Sequence, residues 1–192
     1  MTGIYLAGKI AQNDWRHSIA EVGNYSEGDS EPTTWGPVQT AFEGVTYVGP
    51  FFVGCDHGCT HGGDAHGRSG GCVTGGDRSR TANDCLSQVA SADLVFAWLD
   101  ELTPDASHSS AYGTLVEIGY ALALRKPVVV AAARAPYDPN AGLVMVDRHP
   151  IDDLWFAWSL ATERILAETP GRALERALQR RRNHPLFAEA PL

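Results

Sequence analysis

The chain has 192 residues, enough for one domain with a sizeable core and short for two. Its hydrophobic fraction of 44% and charged fraction of 20% are ordinary for a globular protein, and no apolar run approaches the roughly 20 residues needed to cross a bilayer. The net charge of −8 argues against a nucleic-acid binder, which carries a basic surface.

The chain opens on "MTGIYLAGKI", without the basic start and long apolar core of a secretory leader. A cytoplasmic protein is therefore expected, with its cysteines Cys55, Cys59, Cys72 and Cys85 reduced. "GIYLAG" (3–8) has the pattern of a short buried strand ending in a glycine turn. "DWRHSIAEVGNY" (14–25) suits a helix capped by Asn13 or Asp14, and polar residues 26–44 suit a loop. "VTYVGP" (45–50) is a second strand stopped by Gly49-Pro50, followed by a Gly/Cys/His-rich loop over 49–77. "DRSRTANDCLSQVASAD" (77–93) has helical spacing, with Cys85, Leu86, Val89 and Ala90 on one face.

"LVFAWLD" (94–100) and "PVVVAAA" (127–133) are continuous apolar runs, as strands buried on both faces require. Between them "AYGTLVEIGYALALRK" (111–126) is a helix with Ser109 or Ser110 as its cap. "GLVMVD" (142–147) reads as a last strand. "DDLWFAWSLATERILAE" (152–168) and "GRALERALQRRR" (171–182) read as two helices within a C-terminal segment over 151–192. Strands alternating with helices imply one α/β domain over 1–192. It is a doubly wound, flavodoxin- or Rossmann-like parallel sheet of about five strands with helices on both faces. Ligands of such folds bind beyond the carboxyl ends of the strands. There the sequence puts Lys9 to Asp14, the glycine-rich loop, Asp100 and Ser107 to Ser110.

The familiar nucleotide motifs are missing. The turn after the first strand is "AGKIAQ", not G-x-G-x-x-G, and no G-x-x-x-x-G-K-[ST] occurs, which disfavours dinucleotide dehydrogenases and P-loop enzymes. Glu117 stands out instead. It lies in an otherwise apolar helix, and its i±3 and i±4 neighbours Thr114, Gly113, Tyr120 and Ala121 include no cation to pair with it. Gly113 and Gly119 each cost about 1 kcal/mol in a helix interior, which suggests close backbone packing or close approach of a ligand.

Four segments together resemble the nucleoside 2-deoxyribosyltransferase family, including its relatives that hydrolyse nucleoside or nucleotide N-glycosidic bonds. They are "IYLAGKI" (4–10), "YVGPF" (47–51), "ANDCLSQVASADLVFAWLD" (82–100) and "GTLVEIGYALALRKPVVV" (113–130), of which the last is the most specific. The resemblance covers roughly residues 3–133. It implies that Glu117 is the nucleophile, that Asp84 contacts the leaving base and assists proton transfer, and that Tyr5 lines the sugar pocket and contacts the nucleophile. Gly8 would border the ligand. It also implies a homo-oligomer that completes its pockets across subunits.

These residue types suit the reaction. Cleaving an N-glycosidic bond builds positive charge on the sugar, which a carboxylate stabilises or attacks. The departing base needs a proton, and a tyrosine hydroxyl can pre-orient the carboxylate. Water as acceptor gives a hydrolase and a second base gives a transferase; transfer is the favoured expectation. A non-catalytic nucleotide-sensing module using the same pocket is the alternative from another class.

The sequence also departs from the family pattern. Transferases of the family commonly carry an aspartate six residues before the nucleophile, where this chain has Ala111. The nucleotide-hydrolysing relatives use a serine there for a 5′-phosphate, whereas here Ser109 and Ser110 come one and two residues earlier. Either could hold a phosphate at the helix N-terminus, or they could simply cap the helix. Asp100 and Asp105 are candidates for ribose or base contacts, or solvated loop residues.

Cys55, His57, Cys59 and His61 could form a structural zinc site, with His66 or Cys72 substituting for one of them. Four ligands within so short a span demand a very tight chain path, so a ligand-contacting or lid-like loop is favoured and no cofactor is required. Ten residues between Gly49 and Asp77 are glycine, which lets the backbone approach a ligand. His57, His61 or His66 could then hydrogen-bond the base or a phosphate. Near the C-terminus, Trp155, Phe156 and Trp158 imply a face buried against the sheet or a partner subunit. Arg172, Arg176, Arg180, Arg181 and Arg182 complement a helix C-terminus in preference to binding nucleic acid.

Overall fold

The computed structural model describes residues 1–8, 14–20, 37–50, 60–61, 64–65, 78–99, 112–133 and 154–183. The strands are β1 (Thr2–Gly8), β2 (Val38–Gln39), β3 (Val45–Gly49), β4 (Thr60–His61), β5 (Asp64–Ala65), β6 (Leu94–Trp98), β7 (Val128–Ala133) and β8 (Glu163–Ala167). The helices are α1 (Arg16–Ile19), α2 (Arg78–Ser91), α3 (Tyr112–Ala123), α4 (Trp155–Leu160) and α5 (Pro170–Asn183).

One sheet of six strands runs β2-β3-β1-β6-β7-β8, and β4 and β5 form a separate two-stranded hairpin. All neighbours in the large sheet are parallel except β2, which is antiparallel to β3. Counting only the parallel strands, their order along the sheet is 2-1-3-4-5 in chain sequence. That is the flavodoxin-like doubly wound order, with its switch point beside β1.

Alternation along each strand separates two apolar layers. Ile4, Leu6, Phe96, Val129 and Ile165 face one side, where Ile19 of α1 and Ala173, Leu174, Ala177 and Leu178 of α5 cover them. Tyr5, Ala7, Val95, Ala97 and Val130 face the other, against Cys85 and Val89 of α2, Ile118 and Ala121 of α3, and Ala157 of α4. The fully buried pattern of β6 explains its unbroken apolar sequence. At the start of β1, the Gly3 amide donates to Asp93 Oδ2 at 2.7 Å, which fixes the turn between α2 and β6 against the sheet.

The sheet corrects two expectations. Residues 152–168 are not one helix: α4 ends where Ala161 turns extended (φ −58°, ψ 141°), and residues 163–167 form edge strand β8. The reason is a two-residue period. Ile165 and Ala167 point inward while Arg164 and Leu166 stay exposed, as a strand covered on one face requires. The Val128 amide also donates to Thr162 Oγ1 at 3.1 Å, which anchors the start of β8 beside β7. Second, residues 38–39 within the expected loop pair with β3, so the sheet gains a short antiparallel edge. The expected strand over 142–147 lies outside the described residues, as do residues 21–25 of the first helix. Within the described part of that helix, Asp14 Oδ1 accepts the Arg16 amide at 2.9 Å.

The aromatic cluster near the C-terminus divides. Leu154, Ala157 and Ala161 are buried against the sheet, and Trp158 partly so. Trp155 and Phe156 instead stack edge to face at 5.6 Å and are 60% and 63% exposed, so neither is a core residue. Three of the five arginines of α5 pair with carboxylates, Arg172 with Glu175, Arg176 with Glu168 and Arg180 with Glu163. Exposed pairs contribute little stability, but they offset part of the positive charge of this helix.

Candidate active site

β1 delivers Tyr5 to the α2/α3 side of the sheet, at zero solvent exposure. One and a half turns into α3, Glu117 reaches the same place. The two side chains meet, with the Tyr5 hydroxyl donating to Glu117 Oε1. Residues 112 positions apart in the chain are thereby brought into a single polar contact within an apolar layer.

Burial sets the electrostatics. It pushes the Glu117 carboxyl above the usual carboxylate range, opposed by the Tyr5 hydrogen bond and by the positive charge of Arg16. Tyr5 is raised well above an ordinary phenol, first by burial and then by the neighbouring Glu117 and Cys85. The Cys85 thiol is pushed up to about 11, mainly by burial and by the charge of Glu117. At neutral pH this trio therefore holds a neutral phenol, a neutral thiol and one carboxyl group. A tyrosine that stays protonated can keep donating to a carboxylate, and the carboxylate is the group available for nucleophilic or electrostatic work.

Asp84 precedes Cys85 on α2, is half-buried, and acts electrostatically on the thiol. Gly8 ends β1. A Cβ there would lie 3.1 Å from the Trp98 carbonyl, 3.2 Å from the Trp15 ring and 3.3 Å from Arg16 Nη2, so the bare backbone makes room for three neighbours. Gly49 has a similar duty at the end of β3. With φ at +150°, its Cβ would sit 2.6 Å from Gln88 Oε1 and 2.8 Å from Tyr5 Cδ2, so only glycine lets β3 lie against the tyrosine.

Gly113 and Gly119 do not show the expected close packing. A Cβ at either would meet no described heavy atom within 4 Å. Gly119 instead borders a shallow apolar cleft with Leu115, Ile118, Leu122, Phe156 and Leu160. Asp100, Asp105, Ser109, Ser110, Cys55, His57, Cys59, His66 and Cys72 lie outside the described residues. His61 pairs through its backbone with Asp64 in the β4–β5 hairpin. No cluster of three metal-ligating side chains occurs among the described residues.

Three residues around the Tyr5–Glu117 pair escape sequence reading. Cys85 reads only as one apolar position on α2. Gln88 carries no motif, yet it packs at Gly49 beside Tyr5. Arg16 looks like an ordinary helix-surface cation, but it is fully buried. For Cys85 the adjacency to Asp84 is a usable signal; for Arg16 the sequence offers none.

The family described as Nucleoside 2-deoxyribosyltransferase matches residues 4–154. Among solved structures, the chain is similar to the CMP N-glycosidase BcmB of Clostridium botulinum. Identity is 16% and the TM-score 0.32, over 53% of this chain and 74% of that one. No curated protein matches the sequence.

Proposed function

This chain belongs to the nucleoside 2-deoxyribosyltransferase family and is an enzyme of N-glycosidic bonds, and we propose that Glu117 is its nucleophile, acting on a nucleoside or nucleotide. The observation that carries the reading is the hydrogen bond from buried Tyr5 to the Glu117 carboxyl group. An orienting donor on a carboxylate within an apolar layer is what attack at a sugar carbon requires.

In the first half-reaction the bond from C1′ to the base nitrogen breaks and a bond from C1′ to a Glu117 oxygen forms. The base leaves with the electron pair and takes up a proton, with Asp84 assisting that transfer. In the second, a nitrogen of another base attacks C1′ and releases Glu117. Asp100, Ser109, Ser110, Gly8 and Gly113 are proposed around the sugar, with His57 and His61 of the glycine-rich segment toward the base or a phosphate. That segment is read as a pocket cover needing no metal; zinc analysis of the purified protein, beside Cys55→Ser/Cys59→Ser, tests this.

Product analysis decides the reaction. The protein is incubated with a panel of nucleosides and monophosphates, with and without a second free base. A new nucleoside supports transfer, and free base alone makes the acceptor water. Tight binding without either product would make the protein a nucleotide sensor and sink the catalytic reading. Glu117→Ala is expected to abolish turnover with the fold retained.

Homo-oligomerisation is part of the same proposal. Val116 and Tyr120 on α3, either side of Glu117 in sequence, are exposed, as are Trp155 and Phe156 on α4. Exposed apolar residues grouped on neighbouring helices are typical of protein interfaces, and sedimentation analysis would give a species heavier than the protomer. No helix among the described residues is long and apolar enough to cross a membrane, and a cytoplasmic setting is proposed.

A further inference from the structure

Arg16 is the largest fully buried side chain of the described protein, with zero exposure. Its guanidinium is spread over three acceptors. Nε donates to the Leu6 carbonyl at 2.7 Å, Nη2 to the Gly8 carbonyl at 2.7 Å, and Nη1 to Asp14 Oδ2 at 2.5 Å. One face lies 4.7 Å from the centre of the Trp15 ring, and Trp15 in turn meets core residue Phe96 edge to face at 6.0 Å. Gly8 leaves the space that Nη2 occupies.

Burying an ion pair in a core is usually no more stable than filling the same volume with hydrocarbon. Four interlocking parts (Gly8, Asp14, Trp15 and Arg16) are a costly way to end a strand, and the strand they end carries Tyr5. The two carbonyls that the fork grips, Leu6 and Gly8, lie on the stretch of β1 immediately after Tyr5. A planar fork fixes two carbonyls at once, which the single ammonium of lysine does not reproduce.

We propose that Arg16 is a positioning residue of the active site: its fork fixes the carboxyl end of β1, and hence Tyr5, against Glu117, while its buried charge offsets the burial of that carboxylate. The electrostatics agree in sign, since Arg16 acts to lower the proton affinity of both Glu117 and Cys85. The titratable and charged groups acting around Glu117 among the described residues are Tyr5 from β1, Cys85 from α2 and Arg16 from α1. Asp84 acts on Cys85, and Asp14 pairs with Arg16.

The inference rests on Glu117 being the nucleophile, so its test has a readout independent of turnover. The Glu117 carboxyl is titrated by carbon-13 NMR, its resonance assigned by its loss in Glu117→Gln. Arg16→Met removes fork and charge, so Glu117 should titrate at higher pH than in wild type. Asp14→Asn removes the charge that offsets Arg16, so Glu117 should titrate at lower pH. Arg16→Lys keeps the charge and loses the fork, so Glu117 should titrate above wild type by less than in Arg16→Met. With a turned-over substrate, both Arg16 variants should lose kcat roughly 10–100-fold, as small misplacements of reacting groups do, with little change in KM. Opposite titration shifts in Arg16→Met and Asp14→Asn cannot come from loosening alone, because loosening moves both the same way. Should Arg16→Met not fold, Arg16→Lys and Asp14→Asn carry the test. Unmoved titration in Asp14→Asn together with wild-type kcat in Arg16→Lys would overturn the proposal. If wild type turns over nothing, the nucleophile reading falls, whereas the NMR titration still decides whether Arg16 acts on Glu117.

Discussion

Replacing Tyr5 by phenylalanine removes one oxygen from the centre of the site and leaves its volume nearly unchanged. The Tyr5 hydroxyl is the donor to Glu117 Oε1, so the variant leaves a buried carboxyl group without its described partner. Hydrogen bonds to charged groups contribute about 1.5–3 kcal/mol, which corresponds to a loss of roughly 10–150-fold if that energy acts in the transition state. The fall should appear in kcat, with KM changed much less, if the bond orients Glu117 as the proposed nucleophile rather than holding substrate.

The pH dependence carries a second sign. Burial raises Glu117, and the Tyr5 bond opposes that rise, so without the bond Glu117 protonates at higher pH. The acidic limb of the kcat profile then moves upward. The stability effect runs the same way. The hydrogen bond favours the ionised carboxylate, so its contribution is present where Glu117 is charged and is lost as pH falls through its folded pKa. Tyr5→Phe should be destabilised most at neutral pH and approach wild type in acid. Steady-state kinetics and urea denaturation across pH measure both. A variant with wild-type kcat and an unmoved acidic limb would refute Tyr5 as the orienting donor.

Other perturbations test neighbouring parts. Glu117→Gln removes a carboxylate whose proton affinity burial has raised; folding is disfavoured by that charge at neutral pH. The variant should be inactive yet gain about 0.5–2 kcal/mol by urea denaturation at pH 7, with the gain shrinking as pH falls. Gly49→Ala would place a methyl 2.6 Å from Gln88 and 2.8 Å from Tyr5. It should cost about 1–3 kcal/mol and lower activity by moving the tyrosine, and a wild-type melting temperature would count against the tight β3 contact. Cys85, buried and with its thiol pushed up to about 11, should resist iodoacetamide at pH 7.5 in the native protein and react once unfolded. Peptide mapping reads this directly, and rapid native labelling would mean the site is open to solvent.

Wherever one local rule suffices, the sequence determines the structure. Continuous apolar runs at 94–98 and 128–133 specify strands buried on both faces. A lone glutamate among small and apolar residues on α3, with the segments resembling a known family, marks Glu117, Asp84 and Tyr5. The same local reading fails at 163–167, where a strand covered on one side follows a short helix too closely for its two-residue period to stand out. Only the tertiary structure decides what meets across distance. The strand order beside β1 puts α2 and α3 on one face, which joins Tyr5 to Glu117 and sets Cys85 beside them. It also turns Arg16, by its sequence a surface cation, into a buried fork on β1. The physical reason is that periodicity encodes which face of an element is buried. The proton affinity of a carboxyl group and the partners of a guanidinium depend on everything packed within a few ångströms, and most of that comes from elsewhere in the chain.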